Sequence, residues 1–134
     1  MTRDLVIDTS AVLAVLLEEP EKQAVVNATI GRILNAPASL RWEVGNAAAA
    51  GVKRRRLTAT RARQLVADFE QVTIQELTID LLRAVGLALE LGLYAYDGYI
   101  LEAARSSRYP LLTLDQTIQR NAKKLGLPLV ELET

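Results

Sequence analysis

The sequence predicts an α/β three-layer sandwich, with a central, mainly parallel sheet flanked by helices. Three observations carry this reading. Leu5-Val6-Ile7 is a continuous apolar run, the pattern of a strand buried on both faces, and it stops at the turn- and cap-forming residues Asp8-Thr9-Ser10. Short apolar segments of this kind then alternate with helix-length stretches, and right-handed crossovers between parallel strands put such helices on both sides of a sheet. The 134 residues, 50% hydrophobic and 24% charged, suffice for a domain with its own core, so 1–134 reads as a single domain.

After the first strand, a helix is expected from about Ala11 through Leu17, interrupted by Pro20, and a second from Glu21 to about Ile30, with Gly31 as its stop. Ile33 to Ala36 is a short strand, and Pro37-Ala38-Ser39 turns the chain into a long helix from Leu40 to Arg55. Thr58 or Thr60 caps the next helix, whose stripe of Leu65, Val66 and Phe69 ends near Glu70. Val72 to Ile74 is the third strand candidate. Thr78 is expected to cap a Leu-rich helix with Leu82, Val85 and Leu89 on one face and a stop at Gly92. A helix over Tyr99–Ser106, a strand at Leu111-Leu112-Thr113, a helix from Gln116 to Leu125 closed by Gly126, and a last strand over Leu129–Leu132 complete the pattern.

Composition narrows the chemistry. With no Cys and no His, the chain builds no thiolate or imidazole zinc site, no Cys–His or Ser–His pair and no histidine acid/base couple. Carboxylates, hydroxyls, amides, Lys and Arg remain. Absence of Cys is compatible with a reducing compartment, and no stretch has the length of a signal peptide or membrane span, so a soluble cytoplasmic protein is expected. Lys plus Arg and Asp plus Glu number 16 each, so any polyanion is bound by a local patch rather than by a global basic field.

In an open parallel sheet, functional groups gather beyond the carboxyl ends of the strands where the strand order reverses. Asp8 and Asp115 follow strands that read as central. Glu43 lies in the first turns of the helix after the second strand, and Asp97 at the start of a later one. Four carboxylates brought together would repel one another and raise their pKa values unless a divalent cation supplied charge, and oxygen ligands select Mg²⁺ or Mn²⁺. Cleavage of a phosphodiester by metal-activated water needs no His. Other readings stand beside this one. Asp8, Asp97 and Asp115 are each placed to cap a helix. Glu43 fits a solvated helix face, and Trp42 fits core or interface packing. Ser10 and Thr113 are either ordinary cap and strand-end hydroxyls or groups that orient Asp8 and Asp115, and Asn46, a turn after Glu43, can hydrogen-bond within the same site.

Leu5-Val6-Ile7-Asp8-Thr9-Ser10, Glu43 within Ser39-Leu40-Arg41-Trp42-Glu43-Val44, Tyr96-Asp97-Gly98-Tyr99 and Leu112-Thr113-Leu114-Asp115 resemble, in order and spacing, the motifs of the PIN domain. The resemblance spans essentially the whole chain, whose size is similar to that of stand-alone VapC ribonuclease toxins. It implies strand order 3-2-1-4-5 and makes Asp8, Glu43, Asp97 and Asp115 the acidic metal-binding quartet of an Mg²⁺- or Mn²⁺-dependent endoribonuclease. Ser10 and Thr113 are the supporting hydroxyls by the same likeness. It also implies a homodimer and a VapB-like antitoxin as partner. The departures are modest: Gly98 follows the third acid where a small residue such as Ala is common, and Gln116 follows the fourth where the family varies widely.

Lys53, Arg54, Arg55 and Arg56, followed by Arg61 and Arg63, form the dense basic segment and the candidate contact for an RNA backbone. On an ideal helix Arg54 falls on nearly the face of Glu43, about 16 Å farther along. A solvated helix end and an acidic partner explain the same run. Tyr96 and Tyr99 are placed to stack on a base near the third acid. A housekeeping RNA-processing nuclease and a non-catalytic RNA- or protein-binding module are compatible with the same motifs. A phospho-acceptor receiver domain fits less well, because no paired acids mark the first strand and no Lys follows the last.

Overall fold

The computed structural model describes residues 2–133; Met1 and Thr134, the ends of the expected single domain, lie outside the described residues. Four strands, β1 (Asp4–Ile7), β2 (Ile33–Pro37), β3 (Gln75–Leu77) and β4 (Leu111–Leu112), make a parallel sheet in the order β3-β2-β1-β4. Seven helices connect them among the described residues: α1 (Thr9–Leu16), α2 (Lys22–Thr29), α3 (Ser39–Lys53), α4 (Ala59–Glu70), α5 (Leu81–Leu91), α6 (Ala95–Ser107) and α7 (Gln116–Lys124). The expected fifth strand contracts to a single parallel bridge between Leu129 and Leu111. Two backbone bonds hold it, Leu111 N–H to Pro128 O at 3.0 Å and Val130 N–H to Leu111 O at 2.9 Å. The bridge sits beside β4, where the order 3-2-1-4-5 puts a fifth strand.

β1 is central and dry, and its side chains alternate between two cores. Leu5 and Ile7 join Leu112 against α1, α2 and α3 through Val12, Val25, Leu40 and Val44. Val6 joins Leu111 against α5, α6 and α7 through Leu87, Leu101, Ile118 and Ala122. The three layers are therefore helices, sheet, helices. α4 sits outside the first layer, where Ala62 and Leu65 pack on Ala48.

Beyond the contracted fifth strand, α6 begins at Ala95 rather than Tyr99, and two more elements differ from the expectation. The third strand starts at Gln75 rather than Val72, because Val72 continues the turn after α4 and the ladder with β2 begins only at Gln75, while Ile74 packs into the core ahead of it. α5 is capped by Asp80, whose carboxylate accepts from Arg83 N–H at 2.9 Å, and not by Thr78. Its buried face is Ala84, Leu87 and Ala88, while Leu82 and Leu89, expected on the apolar stripe, are 82% and 77% exposed.

Small residues let α5 and α6 approach closely. A Cβ on Gly98 would lie 2.5 Å from the Ala84 carbonyl oxygen and 2.9 Å from Ala88 Cβ, so backbone would have to move. This contact anchors the turn of α6 that carries Asp97. Gly86, inside α5, has nothing within 4 Å of the same position. Gly98→Ala is expected to destabilise the fold by about 1–3 kcal/mol through overpacking. Gly86→Ala is expected to stabilise it by about 0.5–1 kcal/mol by relieving a helical glycine. Denaturant melts of the two variants check both signs.

Candidate active site

The strand order reverses between β1 and β4, and their carboxyl ends deliver Asp8 and Asp115. Each residue is also the N-cap of the helix that follows. Asp8 Oδ1 accepts from Ala11 N–H at 3.1 Å, and Asp115 Oδ1 from Ile118 N–H at 3.0 Å. The capping and site readings thus hold together, since the cap fixes the carboxylate at the sheet edge. Glu43 projects from the second turn of α3. Asp97 lies in the first turn of α6, which has Tyr94 as its N-cap, so Asp97 is not itself a cap.

All four acids line one cavity of about 90 Å³, with Pro37, Ile100 and Ile118 among its walls and no Lys or Arg around it. They share the cavity without closing on a common point: among the described residues no three acids are grouped tightly enough to hold one ion as they stand. The expected convergence is therefore a shared lining and not a finished coordination sphere.

Asp8 is the most constrained of the four, at 4% exposed. Ser10 Oγ donates to its Oδ1 at 2.7 Å, and Thr113 Oγ1 donates to its Oδ2. Those hydroxyl oxygens accept in turn: Ser10 from Leu114 N–H at 2.9 Å, and Thr113 from Asp115 N–H at 3.0 Å. Both hydroxyls therefore orient the site, joining β1–α1 to β4–α7. A carboxylate has about four lone-pair positions. Oδ1 accepts two hydrogen bonds and Oδ2 one, so a position on Oδ2 remains open.

Burial pushes the Asp8 pKa up against these three hydrogen bonds, and the Asp115 charge adds to the rise. Burial, with the charges of Asp8 and Asp97, pushes Glu43 up to about 7. Asp97 is raised by burial and by Asp115. Thr9 Oγ1 lies near enough to Glu43 to favour its ionised form, yet it is buried and no protein group hydrogen-bonds to it.

Oxygen-only donors, mutual repulsion, an open Asp8 position, an unpartnered hydroxyl and no basic neighbour together fit a hard divalent cation. Thr9 escaped the sequence reading because its only signal there is its place between Asp8 and Ser10.

A groove of about 850 Å³ runs from this cavity along α3, and Thr9, Glu43 and Tyr96 line both. Asn46 faces the groove and not the acid cavity, which corrects its expected place within the site. The basic run divides. Arg54 and Arg56 line the groove, whereas Lys53 and Arg55 are exposed elsewhere. Arg55 takes φ of +60°, and the turn it makes returns Arg56 N–H to Gly51 O at 2.8 Å. Trp42 is 65% exposed on the groove wall and is not core packing.

The family model described as PIN domain matches residues 5–124 of the chain. The crystal structure of PAE2754 from Pyrobaculum aerophilum superposes with a TM-score of 0.67 at 22% sequence identity, covering 88% of this chain and 78% of that chain. No curated protein matches the sequence significantly.

The folded-state pKa of Glu43, about 7 against an ordinary 4.5, means that the native state holds the extra proton between those values. The Glu43 contribution to the stability of the cation-free protein is thus fully present below pH 4.5 and is lost as pH rises through about 7. Glu43→Gln is expected to flatten that decline, and urea midpoints in EDTA across the window measure it. Thr113→Val removes the Asp8 partner and the acceptor for Asp115 N–H, and is expected to lower stability by about 1–3 kcal/mol in the same titration.

Proposed function

The chain belongs to the PIN domain family, whose members are generally nucleases that use divalent metal ions, and on that premise we propose that it is an Mg²⁺- or Mn²⁺-dependent endoribonuclease. The observation that carries the proposal is the single cavity lined by Asp8, Glu43, Asp97 and Asp115, delivered by four separate elements with no basic group to neutralise them. Asp8 through its open Oδ2 position, with Asp97 and Asp115, would hold the ion, and Ser10 and Thr113 keep the Asp8 carboxylate turned correctly. A bound divalent cation supplies Lewis acidity, lowering the pKa of a water and steadying charge on the leaving oxygen. Glu43 would accept the proton of the attacking water as its oxygen bonds to phosphorus, and the leaving oxygen, freed when the phosphorus–oxygen ester bond breaks, would take a proton from solvent.

The reading extends to a toxin of the VapC type, with a VapB-like antitoxin and a second copy of the chain as partners in the cytoplasm. What supports a protein partner is the exposed apolar set Leu81, Leu82, Leu89 and Tyr94 on and just after α5. No helix among the described residues is long and apolar enough to cross a membrane. Coexpression with the product of an adjacent antitoxin-like gene would relieve growth arrest if the toxin reading holds. A housekeeping processing nuclease would cause no arrest.

Purified protein is expected to cut a mixed structured RNA with Mg²⁺ or Mn²⁺ and not with EDTA. Asp8→Asn and Asp97→Asn are expected to abolish cutting with the fold retained by circular dichroism. Glu43→Gln is expected to lower kcat by about 10²–10⁴-fold. Undiminished cleavage by folded Asp8→Asn would sink the assignment.

A further inference from the structure

The residues just before two of the acids are aromatic, and both are left open to solvent. Trp42 precedes Glu43 on α3, and Tyr96 precedes Asp97 on α6. They are 65% and 53% exposed, and both line the 850 Å³ groove that leaves the acid cavity. Exposed large aromatics lose favourable burial, so their placement on one groove calls for something that covers them.

Neither ring is loose. The Arg41 guanidinium lies 5.1 Å from the Trp42 ring centroid and is itself held by Glu70 Oε1 at 3.2 Å. Tyr99 meets Tyr96 edge-on, with centroids 5.7 Å apart and planes at 88°. Trp42 lines the groove and Arg41 does not. Farther along the same groove stand Arg54 and Arg56, the former about 16 Å from Glu43 along the helix. Small residues, Ala47, Ala50 and Gly51, lie between.

Acids and aromatic rings side by side at one end of the groove, with guanidinium groups toward the other, suit a polyanion whose bases are free to stack. The geometry points to Trp42 and Tyr96 as a nucleobase clamp for single-stranded RNA, seating an unpaired base next to the scissile phosphate while Arg54 and Arg56 hold the backbone of the flanking nucleotides. This rests on the ribonuclease reading for its substrate. A duplex keeps its bases stacked inside and offers the rings nothing to engage, so the clamp selects unpaired segments.

The chain has one Trp, so intrinsic fluorescence excited at the red edge of the indole band reports on Trp42 alone. Full-length protein in EDTA is titrated with a fluorescein-labelled twelve-nucleotide single-stranded RNA and, separately, with the same strand annealed to its complement, with anisotropy followed in parallel. The clamp predicts saturable quenching of Trp42 by the single strand, with affinity at least about tenfold above that of the duplex. It further predicts that Trp42→Ala raises KM for single-stranded RNA about tenfold or more with a smaller change in kcat, and that Trp42→Phe largely restores it. RNA that raises anisotropy without quenching Trp42 overturns the proposal. So does a Trp42 already shielded from acrylamide in a dimer that Trp42→Ala dissociates, since a second copy would then be the occupant. Quenching without metal-dependent cleavage would leave the clamp standing and remove the nuclease. Cleavage without quenching would do the reverse.

Discussion

A carboxylate buried at the end of the central strand is tolerable only if its oxygens are hydrogen-bonded, and Asp8 meets that demand with hydroxyls from two different strand–helix junctions. Ser10 and Thr113 each spend a proton on Asp8 and an oxygen lone pair on the backbone of the β4–α7 turn. The sheet edge is thereby cross-tied through one side chain. The positions of Asp115, of the first turn of α7 and of the cavity floor all follow from that tie.

Electrostatics then separates the acids by environment. Asp8 is dry but richly hydrogen-bonded, Asp115 is exposed and caps its helix, and Glu43 and Asp97 stand between these extremes with burial and like charge acting together. Two carboxylates with different surroundings can divide the work of holding and of accepting a proton, the usual basis of acid and base roles in one pocket. Glu43 also belongs to the groove, so the residue suited to accept a proton is the one that joins the acid cavity to the surface where a long substrate would lie.

Much of this was legible in the sequence because the signals are local. Leu5-Val6-Ile7 running into Asp8 encodes a buried strand with a cap, and the same grammar at Leu112-Thr113-Leu114-Asp115 marks its neighbour. Signals failed where two local solutions compete. Thr78 and Asp80 are both good caps, and tertiary packing of Leu77 and Ile79 selects the second. Val72 to Ile74 has strand-like residues, but the ladder to β2 begins at Gln75, so pairing partner and not propensity fixes that strand. The division of the basic run depends on the left-handed turn at Arg55, and the exposure of Trp42 on the packing of α3. Neither is written in spacing alone.

The hydrogen bond from Thr113 to Asp8 spans 105 residues, and β1 pairs with both β2 and β4. A chain emerging from its amino end can lay down β1, β2 and the first helical layer early, while the second face of β1 waits for residues that come much later. Until Leu111-Leu112-Thr113 dock, Asp8 Oδ2 lacks its hydroxyl partner, Asp115 is absent and the cavity has no far wall. Synthesis itself therefore acts as a timer: the nascent polypeptide carries most of the acids long before it possesses a place to use them.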